Sequence, residues 1–138
     1  MSIKVLIADD NEMFRRLIAR YLQKHPEVAV VGEATDGGDA IRKATELRPD
    51  IVLLDIDMPN QDGQTACIQI KHSVPAAKVY LCSAHSDTVL GQIAGSTPAD
   101  GIVRKSALSE DLGKIIGEAS RKDEVRGTKG GVQASNRP

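Results

Sequence analysis

Residues Asp50–Gly63, DIVLLDIDMPNQDG, decide how the rest of the chain is read. Ile51–Leu54 is apolar at every position, which suits a central parallel strand covered on both faces. Pro59 and Asp62-Gly63 then mark a loop. Working outward, Ile3–Ala8, Val28–Ala34, Lys78–Cys82 and Gly101–Arg104 are further short apolar runs that read as strands. Between them the period turns helical. After Asn11, a capping residue, Phe14, Leu17, Ile18, Tyr21 and Leu22 share one face, and His25-Pro26 stops that helix. Asp39–Leu47 carries a stripe of Ala40, Ile41, Ala44 and Leu47 and ends at Pro49. A third helix is predicted over about Gln64–His72, and a weaker one, with Gly91 and Gly95 in it, over Ser86–Gly95. The last begins near Ser109, with Leu112, Ile115 and Ile116 inward. Five strands alternating with five helices predict an α/β fold, a parallel sheet with helices on both faces.

The 138 residues suit one domain. With one Phe, two Tyr and no Trp, the core is built from aliphatic side chains. That poverty of rings argues against a single-strand nucleic-acid platform, on which bases stack. A net charge of −1 excludes a generally basic DNA-coating protein. Residues 121–138 hold five basic and two acidic side chains, a net of +3, which leaves the first 120 residues at −4. This last stretch has no apolar period and reads as a flexible basic tail or linker after a domain of residues 1–120. Cys67 and Cys82 sit in apolar contexts and read as reduced core thiols. No signal peptide or membrane-length apolar run is visible, so the expectation is a cytoplasmic protein without membrane contact.

In open parallel sheets, sites lie at the carboxyl ends of the strands. Here the first strand ends in Asp9-Asp10, the third in Asp55, the fourth in Ser83 and the fifth in Lys105. Each alone is an ordinary turn or cap residue. Together they put three carboxylates on one rim, which one lysine cannot neutralise. A hard divalent cation such as Mg2+ can, and it commonly binds carboxylates together with phosphate oxygens. Asp55 is then the candidate nucleophile, and Ser83 and Lys105 stabilise the charge on a transferring phosphoryl group.

The segments VLIADDNEMFRRLI, DIVLLDIDMPNQDG, VYLCSAH and DGIVRKSA resemble those of two-component response-regulator receiver domains, over about residues 3–120. The resemblance implies a flavodoxin-like (βα)5 three-layer sandwich with a five-stranded parallel sheet of order 2-1-3-4-5. It implies that Asp55 accepts phosphate from a sensor histidine kinase or phosphotransfer protein. Mg2+ would be bound by Asp9, Asp10, Asp55 and the backbone carbonyl of Asp57, with Ser83 and Lys105 coupling phosphorylation to a conformational change. Asp57 and His85 match positions that tune phosphate lifetime. Lys105-Ser106-Ala107 resembles the LuxR/NarL-type subfamily, whose receivers precede a helix-turn-helix domain. DNA contact would then come only through a C-terminal domain absent from this chain, and a homodimer is left open.

One departure concerns the switch. The family places Phe or Tyr where this chain has Ile102, and an isoleucine cannot make the same ring rotation. Order in the segment 86–98, rather than ring rotation, is the expected response to phosphorylation. Arg104 shares a strand face with Ile102 and reads as a solvated edge charge. Two rivals remain: a degenerate receiver acting as a phosphorylation-independent binding module, and a phosphatase of haloacid-dehalogenase type, suggested by Asp55-Ile56-Asp57. Against the phosphatase, the acidic pair comes first in the chain, and Pro59 stands where its hydroxyl is expected.

Overall fold

A computed structural model describes residues 2–58, 63–84 and 87–131. The elements run β1 (Ile3–Ala8), α1 (Glu12–Leu22), β2 (Val28–Ala34), α2 (Gly37–Leu47), β3 (Ile51–Asp55), α3 (Gly63–Ser73), β4 (Lys78–Ser83), α4 (Asp87–Gly95), β5 (Gly101–Arg104), a 3-10 turn (Lys105–Ala107) and α5 (Leu108–Gly131). The strands form one sheet of order β2-β1-β3-β4-β5, and every pairing is parallel. This is the flavodoxin-like receiver fold expected from the sequence.

Successive residues of a strand point to opposite faces, so a strand buried on both sides feeds two cores. Leu6, Val52, Leu54, Val79 and Leu81 join Ala40, Ala44, Ala66, Ile70 and Leu90 of α2, α3 and α4. Val5, Ile7, Leu53 and Val103 join Ile18, Leu22, Leu112, Ile115 and Ile116 of α1 and α5. The unbroken apolar run of β3 is explained by this: all five of its residues are buried.

Local chemistry starts the helices. Asn11 Oδ1 accepts from Phe14 N at 3.2 Å, capping α1. Asp36 does the same for α2, accepting from Asp39 N at 2.8 Å, so that helix begins at Gly37, ahead of the predicted Asp39. The helix at 87–95 forms despite its glycines, because Leu90 is fully buried beneath it. Hydroxyls of Ser96 and Thr97 bond back to the carbonyls of Ile93 and Ala94 at its end.

Three differences from the sequence reading have physical causes. Leu17, placed on the apolar face of α1, is 49 % exposed. At about 100° per residue it lies on the flank of a face centred on Ile18 and Leu22, which are buried. Leu47, placed in the stripe of α2, is 37 % exposed, because it sits in the last turn and covers Gly32 on the edge strand. The final helix continues to Gly131, past the boundary set at residue 120. Among the described residues no helix is long and apolar enough to cross a membrane.

Candidate functional site

Strand register brings the rim residues together. Ala8 stands opposite Leu54 and Asp55 opposite Cys82, so Asp9 and Asp55 are level across the sheet. Ser83 pairs with Arg104, which puts Ser83 one step above that row and Lys105 just beyond. Asp9, Asp55 and Ser83 are 1 %, 4 % and 1 % exposed, whereas Asp10 and Asp57 face solvent. Carboxylate oxygens of Asp9, Asp10 and Asp55 lie within 4.8 Å of one another.

Lys105 reaches over this group. Its Nζ is 2.9 Å from Asp9 Oδ2 and 3.5 Å from Asp55 Oδ1. Asp9 Oδ1 accepts from Asn11 N at 2.8 Å. Asp9 Oδ2 is enclosed and, apart from the nearby ammonium, has no hydrogen-bond partner of acceptable angle among the described residues. Such an oxygen is open to a cation. Hard carboxylate oxygens from three residues, two of them buried and with one ammonium against three carboxylates, fit an acidic cluster of the kind that binds Mg2+.

Burial pushes the Asp55 carboxyl up to about 6, and the negative charge of Asp9 adds to this. Lys105 and the backbone N–H of Asp57 pull it partly back. Burial disfavours the Lys105 ammonium, but Asp9 and Asp55 outweigh that and hold it above the ordinary lysine value. Cys82 sits beside Asp55 in the sheet, and burial, then the aspartate's charge, push its thiol up to about 12. A thiol so raised stays protonated and inert, and both cysteines are free and buried as expected.

Sequence reasoning did not single out several residues that shape this pocket. A Cβ on Gly63 would stand 2.3 Å from the Asp55 carbonyl oxygen and 2.6 Å from Ile56 Cα. Only glycine lets the start of α3 come this close to the backbone that carries Asp55. Arg15 Nη1 donates to the Asp9 carbonyl at 2.8 Å, while its Nε pairs with Glu33 at 3.0 Å. Phe14, read only as part of an apolar face, has its ring centroid 4.2 Å from Lys105 Nζ. These contacts follow from how the helices pack on the strands and leave no local period to find.

Other sequence expectations resolve individually. Ile102 is half-buried and packs against the core beside α4. Arg104 is no solvated edge charge. Its Nε and Nη2 donate to Asp111 Oδ2 and Oδ1 at 2.9 and 2.7 Å, and its backbone N donates to Oδ2 at 2.9 Å. The β5 edge lies against α5, whose first turn supplies the carboxylate. His85, Pro59 and Asp62 lie outside the described residues.

Comparison with known proteins agrees with this geometry. Residues 5–117 match the response regulator receiver domain family. The chain is 36 % identical over 125 residues to the response regulator protein VraR of Staphylococcus aureus, covering 91 % of this chain and 60 % of that protein. It therefore spans less than two thirds of that relative's length. A two-component response regulator of the LuxR family from Aurantimonas sp. SI85-9A1 superposes with a TM-score of 0.78 at 29 % identity, covering 86 % of this chain and 85 % of that one. The isolated REC domain of RcsB from Salmonella enterica serovar Typhimurium, studied with phosphomimetic BeF3−, gives 0.79 at 25 % identity over 88 % and 90 %. The acidic rim, the sheet order and these likenesses converge: this chain belongs to the response regulator receiver domain family.

Proposed function

We propose that Asp55 accepts a phosphoryl group from a sensor histidine kinase or phosphotransfer protein. The observation that carries this is a buried carboxylate at the end of β3, level with a second one and 3.5 Å from a lysine ammonium. An Asp55 carboxylate oxygen attacks phosphorus, and the bond from phosphorus to the donor's nitrogen breaks as the new P–O bond forms. Asp9, Asp10, Asp55 and the Asp57 carbonyl are the residues that would hold Mg2+. When bound, the cation supplies charge neutralisation for the phosphoryl oxygens. Lys105 adds a second positive charge beside Asp55, and the Ser83 hydroxyl donates to a phosphoryl oxygen. Asp57 and His85, two residues after Asp55 and Ser83 respectively, set how long the phosphate survives.

The response is read on the surface of α4, β5 and α5. With Ile102 in place of a ring, order in α4 is the element that changes. That surface controls a partner or an output domain, and likeness to a LuxR-family regulator favours a role as the receiver part of a transcriptional regulator. The test is incubation with acetyl phosphate and Mg2+, followed by intact-mass analysis. Wild type gains one phosphoryl group per chain, and Asp55→Asn or chelation of Mg2+ abolishes the gain. Absence of any adduct in wild type overturns the reading in favour of a phosphorylation-independent binding module.

A further inference from the structure

Lys105 leaves the end of β5, and its ammonium lies by Asp9, at the end of β1, three strands away. A four-carbon stem that spans this distance has many rotamers, about 2 kcal/mol of entropy, and two carboxylates define only part of where its tip rests. The Phe14 ring also stands against it, with its centroid 4.2 Å from Nζ. A cation over an aromatic face is attracted by the ring quadrupole, more so when it is shielded from water. Here the lysine side chain is 10 % exposed.

The ring is itself tied to the acidic pocket. Asp9 Oδ1 accepts from Asn11 N at 2.8 Å, and Asn11 Oδ1 accepts from Phe14 N at 3.2 Å. The Phe14 ring faces Lys105 Nζ, and Nζ returns to Asp9 Oδ2 at 2.9 Å. Four contacts thus close a circuit that starts and ends on one carboxylate. The N-cap that begins α1 also aims the ring. The chain has a single phenylalanine, and it lies against this lysine.

We propose that Phe14 is a positioning residue for Lys105: its ring holds the ammonium at the point where it meets the phosphoryl group on Asp55. The proposal rests on the reading of Asp55 as phosphoacceptor. It assigns to α1 a part in the chemistry beyond packing.

The test compares wild type, Phe14→Leu and Phe14→Tyr with acetyl phosphate at saturating Mg2+, following the rate at which phosphoprotein appears. In parallel, NMR records the Lys105 Cε methylene protons, which a ring face shifts upfield. In Phe14→Leu the rate is expected to fall about twofold to fivefold, and the methylene signal to return to the position of an exposed lysine. Phe14→Tyr, which keeps the ring, restores both. Phe14→Met, a flexible side chain of similar size, replaces Phe14→Leu if that variant does not fold. A wild-type rate in the ringless variant overturns the proposal, as does a lowered rate with the Lys105 signal unmoved or with no rescue by tyrosine. Failure of wild type itself to label sinks the phosphoacceptor reading instead, so the two failures are distinguishable.

Discussion

At the scale of single residues, the acidic pocket works against the stability of the fold. Asp55 has a native pKa of about 6 against an ordinary 3.8, because burial and Asp9 disfavour its charge. The folded state therefore holds this proton more tightly than the unfolded chain does. Its contribution is favourable below about pH 4 and is lost as pH rises through about 6. At neutral pH without divalent cation the ionised group costs up to about 3 kcal/mol. Asp55→Asn should be more stable than wild type in urea unfolding at pH 7.5 with chelator, and the gain should vanish near pH 4. A gain independent of pH would contradict this cause. Gly63 gives a second prediction at this scale. A methyl group 2.3 Å from the Asp55 carbonyl oxygen forces backbone to move. Gly63→Ala should lose about 1–3 kcal/mol in urea unfolding and slow labelling of Asp55. The sequence marks Gly63 only as a turn residue, because the neighbour that makes glycine obligatory is eight positions back.

At the scale of elements, strands were the most legible feature. Each is a short apolar run, and β3, buried on both faces, announces a central position. Helix ends were less so. The reading of α5 faded near residue 120 because its apolar stripe stops there, but helix propagation adds one hydrogen bond per residue and needs no apolar face to continue. The clip between β5 and α5 was invisible, since Arg104 and Asp111 match only once the chain turns at Lys105–Ala107. That clip has a pH signature. Hydrogen bonds from Arg104 hold the Asp111 carboxyl below its ordinary value, so their stabilisation is present above about pH 4 and lost as pH falls through the native value. Asp111→Ala should cost about 1.5–3 kcal/mol at pH 7. The difference from wild type should shrink on acidification in urea titrations. A cost unchanged at low pH would mean the carboxylate stabilises by packing alone.

For the whole molecule, near-zero net charge conceals an uneven distribution: an acidic body, three of whose carboxylates gather at one rim, and a basic C-terminal stretch. Asp9, Asp10, Asp55, Ser83 and Lys105 were legible together because alternation fixes where strands end, and a parallel sheet gathers those ends on one side. What the sequence could not show is how the rim is held in place: the Phe14 ring reaches Lys105 from the far end of the chain, and the Arg15 bond to Asp9 and the close approach at Gly63 depend on how each helix folds back on the strand before it. On the proposed reading, the fold presents one carboxylate, that of Asp55, to phosphorus. The most direct test labels the protein with acetyl phosphate and Mg2+, traps the product with borohydride, and locates the modified residue by peptide mass spectrometry. An aspartyl phosphate at position 55 is reduced to homoserine there and nowhere else, and this is the predicted result. Homoserine at another aspartate, or phosphate on Ser83 with residue 55 unmodified, would contradict the account.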